Sequence, residues 1–275
     1  MVRYKKLSKM NDINFFNISE EKMIDSVTVI MNTYKEKQSF LKQAIDSYLC
    51  QKDVNIQLIV STIENDPSIS FIKANYDSTK IEICISTFKE HPGKGVTGIY
   101  YQLNKATSMI KNDWFCYASS NDVALPGKLK KEIEMCKKNN KFVCYSDYNV
   151  TDINLKTMKK HKFPSFNYNL LLKGNFINDC AIIKTDILKK FLPFNDTYYN
   201  CGYWNLWLRI YSNLGNVFIH NPNPGFLYRH EKTSTHILRN KDKNKQLMYQ
   251  NEKLKMIKNH IIKTQLTNIS TKIKI

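Results

Sequence analysis

The sequence predicts an α/β fold, a three-layer sandwich whose central sheet is mainly parallel. Short apolar or β-branched runs have the length and composition of buried strands, and they lie at residues 27–31, 56–60, 81–85 and 114–118. Helical patterns separate these runs, at residues 39–49, 70–76 and 97–110. This alternation of strand and helix is typical of a parallel sheet with helices packed on both of its faces.

The pattern changes after Pro126. A Lys-rich helix is expected at residues 128–139, and a polar hairpin at residues 152–162. Further strands are expected at residues 142–146, 181–184 and 217–220, and further helices at residues 168–173 and 204–212. We predict an N-terminal extension (1–25), one domain (26–235, with halves 26–123 and 124–235) and a basic helical tail (236–275).

The chain is strongly basic, and its charge is clustered. Of its 275 residues, 42 are basic and 24 acidic, which gives a net charge of +18. Residues 128–162 and 231–275 carry most of the excess. Such a balance favours partners that carry phosphate or carboxylate groups. Nucleic acid is an improbable partner, because the chain has few of the arginines that usually read base edges.

Cysteine usage and hydropathy bear on the compartment. The seven cysteines are widely spaced without a C-x-x-C pair, which indicates neither a zinc site nor a disulfide framework. No run of 18 apolar residues is present, so no transmembrane helix is expected. We therefore predict a cytoplasmic protein, and peripheral attachment of the basic tail to an anionic membrane is the open alternative.

A functional edge is predicted for the first half of the domain. In parallel sheets, ligands bind beyond the carboxyl ends of the strands. This rule places Thr33, Ser61, the Gly-rich loop at residues 87–95 and the polar turn at residues 119–122 on one edge.

The order of elements and several motifs resemble the family 2 glycosyltransferases, which have the GT-A fold, a Rossmann-like sandwich. The resemblance covers residues 26–235. Its motifs are Val27-Thr-Val-Ile-Met-Asn-Thr-Tyr34, Leu103-Asn-Lys-Ala106 with Lys111-Asn-Asp-Trp114, Asp122-Val-Ala-Leu-Pro126, Tyr145-Ser-Asp147, Gly174-Asn-Phe-Ile177, Leu206-Trp-Leu-Arg209 and Pro224-Gly-Phe-Leu-Tyr-Arg-His230.

The acidic signatures of that family are substituted in this chain. Ser61 and Thr62 stand where the family has an Asp pair that binds uracil. Residues 119–121 (Ser-Ser-Asn) stand at the Asp-x-Asp metal motif, where only the following Asp122 is acidic. Gly202 and Tyr203 stand where the family has a Glu-Asp pair that supplies the catalytic base.

The resemblance implies a set of candidate site residues. Those expected at the nucleotide sugar are Thr33, Tyr34, Ser61, Thr62, Lys94, Asn104, Ser119, Asn121, Asp122, Arg229 and His230. A site for Mn²⁺ or Mg²⁺ would rest on Asp122 and is weakened, because a neutral Asn121 replaces an anionic oxygen ligand. Lys94, Arg229 and His230 could instead neutralise a diphosphate. Asp147 and Asp179 are the candidates for the base.

Structural roles compete with these assignments. Asp122 could cap the turn before Pro126, and Asn104 could bond locally within its helix. His220 ends an apolar strand and could be satisfied there.

Two functions follow. In the first, the protein is a hexosyltransferase-like, non-processive enzyme that moves a sugar from a nucleotide sugar, expected to be a UDP-sugar, to a hydroxyl group of a glycan, lipid or protein. In the second, it is a non-catalytic GT-A module that binds a nucleotide sugar, a glycan or a partner enzyme. The sequence favours no particular oligomeric state.

Overall fold

The computed structural model of the chain describes residues 24–87, 98–198, 200–231 and 241–273. The strands are β1 (Asp25–Asn32), β2 (Val54–Ile63), β3 (Ile81–Ser86), β4 (Trp114–Ser119), β5 (Val123–Ala124), β6 (Val143–Thr151), β7 (Thr157–His161), β8 (Ile182–Lys184) and β9 (Phe218–Arg229). The helices are α1 (Gln38–Leu49), α2 (Pro67–Asn75), α3 (Ile99–Thr107), α4 (Lys128–Lys138), α5 (Tyr168–Lys173), α6 (Thr185–Phe191), α7 (Gly202–Leu214) and α8 (Lys243–Ile273).

These strands form one sheet across both halves of the domain. Its order is β3-β2-β1-β4-β8-β6-β9-β5, and β7 pairs with β6. The strands predicted for the first half are confirmed, and they are parallel: β1 lies between β2 and β4, and β2 pairs with β3. In the second half, β8 runs antiparallel to both of its neighbours, whereas β6 and β9 are parallel.

Side chains of the central strands alternate between two hydrophobic cores, one on each face of the sheet. In β1, Ile30 packs into one core, while Val29 and Met31 pack into the other. In β4, Phe115 and Cys116 are divided between the same two cores. Because helices cover both faces, the predicted three-layer sandwich is confirmed.

Three features of the second half differ from the sequence prediction, and the first is the helix α6, which was not predicted. The strand expected at residues 217–220 continues to Arg229 as β9, with register shifts against β6 around Asp147. The short strand β5, which pairs with β9, was not predicted. A run of only two residues has no periodicity that a sequence pattern could detect.

The basic tail is helical, as predicted. Met256 of α8 is fully buried, and the His260 imidazole lies 3.0 Å from the Tyr168 hydroxyl, so this helix packs onto the domain. Within the described ranges, the structure contains no helix that is long and apolar enough to cross a membrane. The division of the chain into extension, domain and tail stays a prediction, and residues 1–23 lie outside the described residues.

The first turn of α7 requires a glycine. A Cβ atom at Gly202 would lie 2.4–2.6 Å from ring atoms of Tyr100. That ring is held in place, because it packs against Phe194 and its hydroxyl accepts a hydrogen bond from the Tyr203 backbone N–H. The tyrosine ring thus occupies the space that a side chain at position 202 would need.

Gly202→Ala is therefore expected to destabilise the fold by about 1–3 kcal/mol, the usual cost of overpacking a core. Gly174→Ala is the matched control, because a Cβ atom there meets no atom within 4 Å; it should change the stability by less than about 0.5 kcal/mol. Urea unfolding of both variants measures the change in the free energy of unfolding. Equal stability of the two variants would contradict the close approach of Tyr100.

Candidate active site

A cleft of about 830 Å³ lies at the carboxyl ends of β1 and β4. Its lining includes the loop after β1 (33–37) and the turn after β4 (119–122). It also includes residues 175–180, which precede β8, and aromatic side chains of β6 and β9. The cleft therefore lies where the two halves of the domain meet.

The structure brings the ends of β1, β2 and β4 together as predicted, whereas residues 88–95 of the Gly-rich loop lie outside the described residues. Strand register pairs Asn32 with both Ser61 and Ser119, and the Thr33 backbone N–H donates to the Ser61 carbonyl at 2.9 Å. Of the candidate residues, those that line the cleft are Thr33, Tyr34, Ser119, Asn121, Asp122 and Asp179.

Several buried polar atoms at the cleft have no hydrogen-bond partner in the described part of the chain. They are Asn32 Oδ1, Thr33 Oγ1 and Asn178 Oδ1. All three belong to residues that line the cleft. A buried polar atom without a partner costs free energy, so these atoms are suited to a polar ligand.

Ser61 and Thr62 do not reach the cleft. Both are fully buried. The Ser61 hydroxyl donates to the Gln102 carbonyl at 3.3 Å, and the Thr62 hydroxyl accepts from Ser68 at 3.4 Å. Their expected contact with the nucleotide base is therefore corrected: these side chains join β2 to neighbouring helices.

Asn104 is also engaged elsewhere. Its side chain donates to the Phe194 carbonyl at 2.8 Å and accepts from the Phe194 N–H at 2.7 Å. It does not line the cleft. Asn104 therefore holds the loop between α6 and α7. Neither the expected contact with the nucleotide nor the alternative bond within its own helix is observed.

The three expected basic groups do not form a clamp in the described chain. Arg229 is 1% exposed, stacks on Phe40 and donates to backbone carbonyls, including that of Asn121 at 2.8 Å. His230 is exposed but does not line the cleft. Lys94 lies outside the described residues. Arg229 is thus a buried structural cation, because its donors are used inside the protein.

Asp147 is not suited to the base role. It is buried and lies outside the cleft lining. Its Oδ1 accepts from the Phe163 N–H at 2.9 Å and lies 2.7 Å from Nε2 of His220. An acid with these partners shapes the irregular part of β6. The same contact satisfies His220, as predicted, although His220 lies within β9 and not at a strand end.

Asp122 is held at the wall of the cleft. Its Oδ1 accepts the Arg229 backbone N–H at 2.8 Å. Burial raises the pKa of Asp122 to about 7, with a further rise from Glu231 and Glu36 and an opposing effect of Arg229. This hydrogen bond joins Asp122 to strand β9 and not to the turn before Pro126. Asp122 therefore does not have the role of a local turn cap.

The place of the metal motif holds a hydrogen-bonded network. The Ser119 hydroxyl donates to Asn121 Oδ1 at 2.7 Å, and Asn121 Nδ2 donates to Glu231 at 2.9 Å. Glu36, Asp122 and Glu231 line the cleft, and carboxylates are the hard oxygen ligands that Mn²⁺ and Mg²⁺ prefer. Among the residues that the structure describes, however, no group of three or more His, Cys, Asp or Glu could hold a cation alone.

Asp179 is one of four acids among the described residues that line the cleft. Its side chain is exposed there and accepts no hydrogen bond from the described residues. Although its surface opens to the cleft, the protein packed around Asp179 limits the hydration of the carboxylate, and this desolvation raises the pKa of Asp179 to about 7. Its neighbours include Tyr100, Tyr117 and Tyr203, whose hydroxyl pKa values are raised mainly by burial and also by the charge of Asp179.

The sequence analysis missed several residues of this site. Lys35, Glu36 and Lys37 line the cleft directly after Tyr34, and Glu231 lines it from beyond β9. Lys37 Nζ lies 3.6 Å from Glu231. Their position in a loop that follows the resembling motif was the only available signal. An aromatic wall, formed by Tyr148, Phe163, Phe176, Phe226 and Tyr228, was also not predicted.

Comparison with known proteins shows similarity to glycosyltransferases. No protein-family profile matches the chain. The uncharacterized glycosyltransferase MJ1057 of Methanocaldococcus jannaschii is 24% identical over 195 residues, which cover 68% of this chain and 65% of that protein. WfgD of Escherichia coli, a UDP-Glc:α-D-GlcNAc-diphosphoundecaprenol β-1,3-glucosyltransferase, is 24% identical over 184 residues, covering 67% of this chain and 69% of WfgD. The chain thus matches about two thirds of the length of these relatives.

Solved structures agree with this similarity. S. aureus TarS 1–349 in complex with UDP-GlcNAc superimposes with a TM-score of 0.59 at 13% identity, covering 76% of this chain and 60% of TarS 1–349. The complex of TarS 1–349 with UDP gives a TM-score of 0.61 at 13% identity and covers 86% and 65% of the two chains. The chain therefore has the GT-A-like glycosyltransferase fold that its sequence motifs predict.

Proposed function

We propose that the protein is a glycosyltransferase that moves a sugar from a UDP-sugar to a hydroxyl group of an acceptor. The observation that carries this proposal is the cleft itself. It lies at the carboxyl ends of parallel strands in a glycosyltransferase fold, presents unpaired buried polar atoms, and contains a free carboxylate at Asp179. The donor class is supported by the UDP and UDP-GlcNAc complexes of TarS and by WfgD, which is a UDP-Glc-dependent glucosyltransferase.

Asp179 would act as the general base. Sugar transfer to a hydroxyl group requires a base that removes the hydroxyl proton as the oxygen attacks the anomeric carbon. A carboxylate with a pKa above its ordinary value accepts that proton more readily, and with a pKa of about 7 it is half ionised at neutral pH and largely ionised at slightly alkaline pH. The first turn of α7 supplies no acid, because Gly202 and Tyr203 stand there against the ring of Tyr100.

A divalent cation would enter the site together with the donor. Glu36, Asp122 and Glu231 supply carboxylates, and the diphosphate would supply the remaining oxygen ligands. Bound Mn²⁺ or Mg²⁺ would neutralise charge on the departing nucleoside diphosphate. Lys35 and Lys37, in the same cleft, add positive charge near these carboxylates.

The aromatic wall supports a glycan or glycolipid acceptor. Sugar rings present apolar C–H faces that pack on aromatic side chains, and Tyr148, Phe163 and Phe226 line the cleft. WfgD acts on a sugar attached to a diphosphoundecaprenol lipid. We propose an acceptor of this chemical class for the chain.

A non-catalytic binding module is the second candidate. The substitutions at Ser61, Ser119 and Gly202 favour it, because each removes a carboxylate that the resembling family uses. Such a module would bind a UDP-sugar without turnover. Measurement of transfer beside binding therefore distinguishes the two candidates.

Donor binding should depend on UDP and be strengthened by Mn²⁺. In a thermal-shift panel of UDP-, GDP- and dTDP-sugars, we expect the largest rise in Tm with UDP-sugars. Adding Mn²⁺ should raise Tm further, because the carboxylates of the cleft and the diphosphate then bind the same cation. Mn²⁺ alone should shift Tm little. Asp122→Asn should remove the Mn²⁺-dependent increment and keep the metal-free shift. An equal response to all three nucleotides, or none, would contradict the donor assignment.

Asp179→Asn should abolish transfer while keeping donor binding. Loss of a general base costs about 10²- to 10⁴-fold in kcat. In the wild type, kcat should fall as the pH decreases through the raised pKa of Asp179, about 7, because the protonated carboxyl group cannot accept the hydroxyl proton. Asp186→Asn, an exposed change on α6, is the control and should keep the wild-type kcat. Transfer that survives in Asp179→Asn would disprove the base assignment.

The surface of α8 supports peripheral attachment to an anionic membrane. Its exposed apolar side chains are Leu247, Met248, Leu254, Ile261 and Ile262. Leu247, Leu254 and Ile261 recur every seven residues and so share one face, and lysines flank them. We expect co-sedimentation with phosphatidylglycerol vesicles at low salt, which Leu247→Ser with Leu254→Ser should weaken. Equal binding of the double variant would exclude this surface.

A further inference from the structure

A fully buried ion pair lies beneath the cleft. Lys128 Nζ and Glu132 Oε2 are 2.7 Å apart, and each side chain is 1% exposed. Burial of two charges usually costs more than their attraction returns. Lys128 also lies in the first turn of α4, where the helix dipole disfavours a cation. Stability alone therefore does not account for this pair.

The pair is part of a set of hydrogen bonds that surrounds the Asp179 segment. Lys128 Nζ donates to the Cys180 carbonyl at 2.9 Å. The Ser146 hydroxyl donates to Glu132 in a short hydrogen bond, and the Ser146 carbonyl accepts from Asn178 Nδ2 at 2.7 Å. The residues on both sides of Asp179 are thus fixed by one connected network.

The backbone of β9 leaves room for this network. A Cβ atom at Gly225 would lie 2.9 Å from Cβ and Oγ of Ser146 and 3.0 Å from Glu132 Oε1. Asp179 itself accepts no hydrogen bond from the described residues, so the segment on either side of it sets the direction of its carboxylate. Among the described residues, the hydrogen bonds of Lys128 and Ser146 hold this segment at Cys180 and Asn178.

We propose that Lys128 and Glu132 are positioning residues, which hold the segment from Asn178 to Cys180 so that the Asp179 carboxylate faces the acceptor hydroxyl. This inference rests on the proposed function. Neither residue touches the cleft, because both are buried below it. A base that is displaced by about 1 Å loses much of its efficiency, since proton transfer requires hydrogen-bond geometry.

The test uses Lys128→Met with Glu132→Leu, which replaces the ion pair by apolar side chains of similar volume. Such replacements are usually neutral or stabilising, so Tm should be retained or raised. We expect kcat to fall by roughly 10- to 100-fold, while KM for the UDP-sugar stays within about twofold. The acidic limb of the kcat profile should also move to lower pH, because a looser Asp179 segment is better hydrated.

Lys137→Met is the matched control. This change removes a lysine of the same helix that forms a surface ion pair, in which Lys137 Nζ lies 2.6 Å from Asp25 Oδ1. The variant should keep the wild-type kcat. A double variant with wild-type kcat and pH profile would overturn the positioning role. If the double variant fails to fold, Ser146→Ala decides: a fall in kcat at unchanged KM supports the role, and unchanged kcat overturns it. A wild-type protein that binds the donor but transfers no sugar would overturn the proposed function itself.

Discussion

The parallel pairing of β1 with β2 and β4 is the constraint on which the site depends. Register places Asn32 beside Ser61 and Ser119, so all three strands end at one edge. The loops that follow β1 and β4 must then meet, and their polar groups face the same cleft. Alternating side chains fix this register, because a shift by one residue would exchange the two cores.

The acidic side chains at this edge do not stand at the positions at which the resembling family places its acids. Ser61 and Thr62 are packing residues, and Tyr100 fills the space beside Gly202. Carboxylates are nevertheless present at Glu36, Asp122, Asp179 and Glu231, all of which line the cleft. Acidic groups therefore line the cleft, although they do not stand at the motif positions of the resembling family.

Periodicity and composition predict the strands and helices of the first half because each element there is long and has one clear pattern. They do not predict β5, which is two residues long, or the continuation of β9 past its bulge. In the sequence, the polar groups of Arg229 and Asn104 are as well suited to bind a ligand as to bond within the protein. In the structure, they donate to backbone carbonyls of the protein. Such pairing depends on residues far apart in the chain, which local patterns do not encode.

A crystal structure of the protein with a UDP-sugar tests the central claim most directly. We expect the nucleotide against Asn32 and Thr33, the diphosphate between the loops at residues 33–37 and 119–122, and the anomeric carbon turned toward Asp179. Density for the donor outside this cleft, or a donor whose anomeric carbon faces away from Asp179, would contradict the account.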